Sequence, residues 1–506
     1  MTAVAMPRAG APLGREVDWS AIAWQEIRRN VYRLQLRIAK AVKEGFWGKA
    51  KALQRLLACS FSAKVAAVKR VVTNKGSKTP GIDGILWKTK EDKEQAVRSL
   101  SRHGYRSQPL RRTYIPKTNG KKRPLGIPTM RDRAMQALHA LGLIPAAETL
   151  ADPNSYGFRE KRSTADALGQ CFIALAKRES PRVVMDADIK ACFDRIDQQW
   201  MIDHIPMDKK ILRSFLQSGY VEAGAFYETT EGTPQGGIIS PVLANMALDG
   251  LEQAVKSAVP KRGAKVNVIR YADDFVITGA HRRLLEESVK PAVTSFLAER
   301  GLILSEEKTK IVGIGEGFDF LGCNLKKYAD KLLIKPSPAK VTTFLTETRR
   351  LIKAMVAAPT NKLIRQLNLK LRGWGNYYRH VVAKKAFSRV DKSVMQHLFW
   401  WMKRRHPNKT LGWMRKKYFI REGTRWVFGA PYVTKKGEKK WQRLFKVSDL
   451  PIRRHVKIKG QANPYDREYA DYFDDRRVDQ NNSRYRDRQY LAMTPVERAS
   501  RTWPPC

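Results

Sequence analysis

The sequence predicts a mixed α/β body over about residues 60–330, a helical segment over 331–405 and a strongly basic stretch over 406–470. Three observations carry that reading. Short β-branched and aromatic runs alternate with Gly-rich turns and amphipathic segments up to about residue 330. Residues 336–405 then keep helical spacing and are rich in Arg, Lys, Trp and Tyr. From Trp401 to Gly460 the chain carries 19 Lys or Arg against three acids, a local net of +16.

Taken in order, residues 1–18 read as a flexible leader. Ile27, Val31, Leu34, Ile38 and Val42 recur at helical spacing, with Arg28, Arg29, Arg33 and Arg37 largely on other faces. That helix is either a solvated amphipathic surface or one that faces nucleic acid, within a 1–59 leader and basic helical extension. The stretch "SKTPGIDG" is a Gly-rich turn. "YIPKTNGKKRPLGIP" (Tyr114–Pro128) reads as strand, Lys-rich turn and return strand, a hairpin with a basic tip. "RVVMDADIKACFDRID" opens as a strand and breaks into carboxylates. "EGTPQGGIISPVLANMALDGLE" is a Gly-rich turn leading into a helix, and "VNVIRYADDFVITG" is two short strands around a tight turn. After Gly460 lysine and histidine vanish, and residues 471–506 form a mixed-charge tail.

Composition bounds the function. The 506 residues suffice for two to four domains, and 43% hydrophobic content supplies real cores. Lys and Arg total 96 against 48 acids, a formal net charge of +48. Such an excess points first to a polyanion, nucleic acid before an anionic membrane. No apolar run of about 18 residues supports a membrane span, and the N-terminus lacks the pattern of a signal peptide. The five cysteines, Cys59, Cys171, Cys192, Cys323 and Cys506, form no Cys-x-x-Cys pair. That argues against a disulfide framework and a structural zinc site, and fits a reducing cytosol.

In so basic a chain the acids are informative. Asp273 and Asp274 sit at a hairpin tip, and Asp188 ends the Val183–Met185 run, with Asp186 and Asp194 nearby. Alone, an Asp-Asp pair is an ordinary polar turn. Carboxylates from two strand ends suit hard cations such as Mg²⁺. Three of them suit two ions about 4 Å apart, the arrangement for in-line phosphoryl displacement.

These blocks, with "SYGFREKRSTADA", "LSEEKT" and "FDFLG", resemble in order and spacing the successive motifs of a reverse transcriptase, as found in bacterial group II intron-encoded proteins. "GWGNYYRH" and "RRHPNKTLGWMRKKYF" resemble their maturase domain, and the resemblance covers roughly residues 20–470. It implies an α/β right-hand polymerase, fingers and palm over 60–330, followed by an α-helical thumb/maturase domain over 331–405 and a basic C-terminal DNA-binding region over 406–470. By that resemblance Asp188, Asp273 and Asp274 are the catalytic residues holding two Mg²⁺ ions. Asp186 and Asp194 would cap turns or support the site. Phe193, five residues after Asp188, would be the steric gate against a ribose 2′-OH. Lys117 and Arg123 would clamp the incoming dNTP, and Gln235 would lie near the templating pair. Lys308 would be either a general acid towards pyrophosphate or a support of the site.

Binding of RNA and DNA falls to Arg28, Arg29, Arg33, Arg37, Trp374, Tyr377, Tyr378, Arg379, Arg404, Arg405, Arg415, Lys416 and Lys417. Their aromatics either stack on unpaired bases or fill helical cores. The implied partners are group II intron RNA, target DNA and dNTPs, in a bacterial cytoplasmic ribonucleoprotein at the nucleoid. The implied activity is RNA-directed DNA synthesis together with splicing and retrohoming by target-primed reverse transcription.

Many such proteins end in a His-Asn-His endonuclease. Here no His follows His455 and the only late Cys is Cys506. Second-strand cleavage is therefore not expected, and a nascent strand at a replication fork could serve as primer. Two alternatives stay open: a splicing cofactor whose polymerase has decayed, against which the intact motif residues argue, and a polymerase of this type recruited to another task.

Overall fold

Ile27, Val31, Ile38 and Val42 form one buried stripe along a helix, α1 (Trp24–Lys43). The computed structural model describes residues 18–116, 120, 122–434 and 437–492. Residues 1–17, the tail beyond 492 and the tip residues Lys117 and Lys121 lie outside them. Two compact units result. One gathers the residues up to Gln170, Pro181–Ile311 and Ile458–Asp471; the other gathers Cys171–Ser180, Val312–Lys457 and the residues from Tyr472.

In the first unit, α1 packs with α2 (Trp47–Cys59) and α3 (Phe61–Thr73) around α4 (Met130–Leu150). Gln35, buried on α1, donates from Nε2 to the Leu141 carbonyl at 2.9 Å. The N-terminal helices therefore share a core with the α/β body rather than standing apart as a 1–59 extension. The basic hairpin is β1 (Leu110–Pro116) against β2 (Lys122–Ile127), with Tyr114 opposite Pro124. Three more strands belong to the four-stranded central sheet: β3 (Val183–Asp188), β4 (Asn267–Tyr271) and β5 (Asp274–Gly279), antiparallel to one another in the order β4-β5-β3. Val184, Met185, Val268, Ile269 and Phe275–Ile277 are buried, which fixes the register.

The strap Ile458–Asp471 was expected within a C-terminal basic region, yet it folds onto this unit. The reason is local. Here the chain supplies apolar and hydrogen-bonding groups, with Lys459 its one lysine. The Ile458 amide donates to the Asp166 carboxylate at 2.8 Å, and Arg162 donates to the Gly460 carbonyl at 2.6 Å. Tyr465 is buried and its hydroxyl reaches Glu160 at 2.9 Å. Lys43 on α1 pairs with Asp466 at 2.8 Å.

The second unit begins with a small antiparallel sheet, β6 (Phe318–Phe320), β7 (Cys323–Tyr328) and β8 (Lys331–Pro336). Three helices follow as the periodicity predicts: α5 (Pro338–Ala354), α6 (Thr360–Tyr378) and α7 (Lys384–Arg405). The basic stretch then builds a sheet of its own, Phe419–Glu422, Arg425–Val433 and Lys439–Arg443. Ala470–Ala492 is a helix, where the sequence suggested only a mixed-charge tail. Its Asp487 pairs with Arg379 at 2.5 Å and Arg453 at 2.8 Å.

Tyr465→Ala removes a buried ring and should lower the unfolding free energy by about 3–5 kcal/mol, read from denaturant midpoints. It should also expose Ile458–Asp471 to limited proteolysis. An unchanged midpoint and digest would show that the strap contributes nothing to this unit.

Candidate active site

The site grows from the end of the central sheet. Asp188 is the last residue of β3, and its Cα pairs across the ladder with Asp274, the first residue of β5. Tyr271 of β4 pairs with that same Asp274, leaving Ala272 and Asp273 as a two-residue turn. Ala272 takes φ 59°, as such a turn demands. Pairing register alone therefore sets the three acids side by side.

The turn is held from behind. A Cβ on Gly157 would strike the Ala272 amide nitrogen, so only glycine allows this approach. Asn245 donates from Nδ2 to the Gly157 carbonyl at 2.7 Å. The segment before it runs along β4: the Tyr156 amide donates to Arg270 and the Arg270 amide to Asn154. Arg270, 1% exposed, pairs with Asp249 at 2.5 Å and donates to Asn245 at 3.2 Å. Burial raises the Asp249 carboxyl to about 6 even beside Arg270. Sequence reasoning missed Gly157, Asn245, Asp249 and Arg270. The one available signal was an arginine inside the apolar run before the paired aspartates.

Charge follows this geometry. Burial raises the pKa of Asp273, and the charge of Asp188 pushes it up further; Arg123 and Lys308 pull it down. Arg123 on β2, itself exposed, is thus close enough to act on the acids. Lys308 bonds Asp188 directly, and that bond raises its own pKa. Burial, then the charge of Asp273, lifts the Cys192 thiol to about 12. It is therefore protonated and unreactive at neutral pH.

Phe193 lies in a short helix, Cys192–Arg195, and is half-buried. The Thr233 amide donates to its carbonyl at 2.7 Å. Gln235 donates from Nε2 to both Asp194 oxygens, at 3.0 and 3.1 Å, and its carbonyl accepts from Gly126 of β2 at 2.8 Å. The hairpin bearing Arg123, the Gln235 loop and Phe193 are thereby locked into one frame. Lys117 belongs to the undescribed tip.

Among the described residues, no three acid, imidazole or thiol side chains are preassembled as a metal cage. The donor set nonetheless fits a hard cation. Three carboxylates share one sheet end, and one of them has its ionised form disfavoured by a neighbour's charge. Positive charge relieves that conflict, and all-oxygen donors suit Mg²⁺.

The residues expected to bind RNA and DNA separate into two sets. Arg28, Arg29, Arg33 and Arg37 are exposed along α1. In the second unit, Arg404, Arg415, Lys416 and Lys417 are exposed, with Arg415 over the Trp426 ring at 3.9 Å. Trp374 instead stacks on Phe344, with centroids 4.7 Å apart, and packs against Tyr378 and Phe387. Tyr378 is buried and its hydroxyl donates to the Gly322 carbonyl at 3.1 Å. Tyr377 keeps an exposed ring while donating to Leu321. Arg379 is engaged by Asp487, and Arg405 donates to Ala358 at 2.7 Å. Trp400 is 55% exposed, and Trp426, 42% exposed, has one face covered by Arg415. A cleft of about 810 Å³ beside α6 is lined by Lys362, Arg365, Arg372 and Arg443. No helix among the described residues is long and apolar enough to cross a membrane.

Three segments of the chain match known families. Residues 115–325 match the family described as reverse transcriptase (RNA-dependent DNA polymerase), residues 19–100 the N-terminal domain of reverse transcriptase, and residues 341–419 the group II intron maturase-specific domain. Protein YkfC of Escherichia coli K12 is 30% identical over 319 residues, covering 54% of this chain and 83% of its own. The group II intron-encoded protein LtrA of Lactococcus lactis subsp. cremoris is 28% identical over 413 residues, covering 62% of this chain and 68% of its own. Among solved structures, telomerase from Candida albicans superposes with a TM-score of 0.36 at 13% identity, covering 59% of each chain. A likeness that slight carries no argument.

Arg270→Ala leaves Asp249 as an unpaired buried charge and should cost about 3–5 kcal/mol, measured by chemical denaturation. Arg270→Met with Asp249→Leu should recover part of that loss, since neither ion is left alone. A double variant as unstable as the single would contradict this account of the pair.

Proposed function

This chain belongs to the reverse transcriptases that carry a group II intron maturase domain, and we propose that Asp188, Asp273 and Asp274 hold its catalytic Mg²⁺ ions. As a member of that family it is an RNA-directed DNA polymerase that binds RNA. The observation that carries the proposed site is the cross-strand pairing of Asp188 with Asp274 beside the Asp273 turn. Two Mg²⁺ ions at these carboxylates would lower the pKa of the primer hydroxyl and stabilise the departing pyrophosphate.

The chain's own groups do the rest. Arg123, with a forked guanidinium on a strand tied to the Gln235 loop, binds triphosphate oxygens; Lys117, outside the described residues, is assigned the same role from the sequence. Phe193 excludes a 2′-OH and so selects dNTPs. Gln235, oriented by Asp194, borders the nascent pair. Lys308 supports Asp188, the role its bond favours, with proton donation to pyrophosphate as the alternative.

Intron RNA binding rests on the maturase-matching residues and the basic cleft beside α6. Cations there track phosphates, and Trp400 and Trp426 offer stacking faces. Retrohoming into target DNA by target-primed synthesis follows from polymerase and maturase in one chain.

Primer extension on an RNA template with Mg²⁺ and dNTPs should proceed in the wild type and fall to background in Asp273→Ala. Normal extension by that variant would remove the catalytic assignment. Intron splicing should survive the same substitution, because it needs binding and not polymerisation. RNA affinity should fall steeply with added salt through counterion release. Replacing Arg365 and Arg372 with Ala should flatten that slope by about one unit per lost phosphate contact; an unchanged slope would move the RNA path away from the cleft.

A further inference from the structure

Phe158 is a large apolar residue in a place that a fold seldom gives one. It is 52% exposed and takes φ 58°. That left-handed backbone is unfavourable for a bulky L-residue and persists only where the surroundings impose it. Both neighbours impose it. Gly157 is pressed on the Ala272 turn and bonded by Asn245. Arg159 is buried, pairs with Glu148 at 2.8 Å and donates to the carbonyls of Asp152 and Ser155 at 2.7 and 3.0 Å. Between these anchors the chain crests, and Phe158 is the crest. Its ring meets that of Phe193 edge to face, with centroids 6.0 Å apart and planes at 77°.

Phe193 needs such a neighbour. Its backbone is pinned by Thr233. Its ring, half-buried, leans on the core and turns about side-chain bonds that the backbone contacts do not restrain. We propose that Phe158 is a positioning residue for sugar discrimination: its ring holds the Phe193 ring in the orientation that excludes a ribose 2′-OH. The inference rests on the reading of Phe193 as the excluding ring. It also ties discrimination to the catalytic turn, because the Gly157 contact that presents Phe158 also braces Ala272.

The test is steady-state incorporation of dNTPs and rNTPs by the full-length protein on an RNA template. The variants are Phe158→Ala, Phe158→Tyr, Phe193→Ala and the double alanine. Phe158→Ala should raise the rNTP/dNTP ratio of kcat/KM by about three- to tenfold, the size of an edge-to-face pair. The change should lie mainly in the KM for rNTPs, with kcat for dNTPs kept. Phe158→Tyr should restore wild-type discrimination. The double variant should discriminate no worse than Phe193→Ala alone. If Phe193→Ala relaxes discrimination and Phe158→Ala does not, this inference fails and the gate stands. If Phe193→Ala changes nothing, the gate reading itself fails and takes the inference with it. If Phe158→Ala weakens primer–template binding at an unchanged ratio, Phe158 is a nucleic-acid contact and the inference is overturned.

Discussion

Everything at the proposed active site depends on holding like charges together at the end of a sheet. Asp188, Asp273 and Asp274 repel one another, and Asp273 is also partly desolvated. Left to relax, the turn would carry its carboxylates apart. The structure prevents this through backbone rather than side chains. The ladder fixes Asp188 opposite Asp274, Gly157 blocks retreat of Ala272, and the Asn154–Tyr156 segment bonds both backbone groups of Arg270. The acids are thus held together by the backbone, the condition under which the proposed metal binding would require least rearrangement.

The same segregation of charge organises the chain more widely. A net +48 spread over exposed helices and the basic cleft attracts polyanions at long range and is screened by salt. The acidic focus acts at contact range, with Asp188 and Asp273 half-buried and Asp274 exposed. Lys308 and Arg123 mark the border between these regimes, each close enough to act on the acids. A polymerase needs both, since it must hold strands whose phosphates repel the site's own carboxylates.

Much of this was legible in the sequence because it rests on local pattern. The basic hairpin, the Asp-Asp turn and the three helices after residue 336 follow from alternation, helical spacing and turn residues, and the structure forms each. What stayed hidden is non-local. Arg270 and Asp249 are 21 residues apart, and although an arginine inside an apolar run is a signal, nothing local identifies Asp249 as its partner. Gly157 is one glycine among 33, and its role exists only because Ala272 passes over it. Trp374 and Tyr378 lie in a run rich in Lys and Arg, where composition cannot separate a stacking face from a core ring; packing against Phe344 and Phe387 does. The strap Ile458–Asp471 escaped notice because its partners, Thr149, Glu160 and Arg162, lie some 300 positions earlier.

The buried polar layer behind the turn raises a question of energetics that the site answers. Arg270, Asp249 and Asn245 occupy volume that apolar residues could fill with equal or better stability, because burying an ion pair recovers its desolvation cost only with good geometry. An apolar filling, however, would have no direction. Asn245 bonds the Gly157 carbonyl and accepts from Arg270, while Arg270 aligns with the strand that enters the turn. Each bond has one acceptable geometry, so together they specify the height and tilt of the turn in a way that contact between methyl groups does not. The layer therefore makes sense as a device for placing Asp273 and, through the other face of the same glycine, for presenting Phe158.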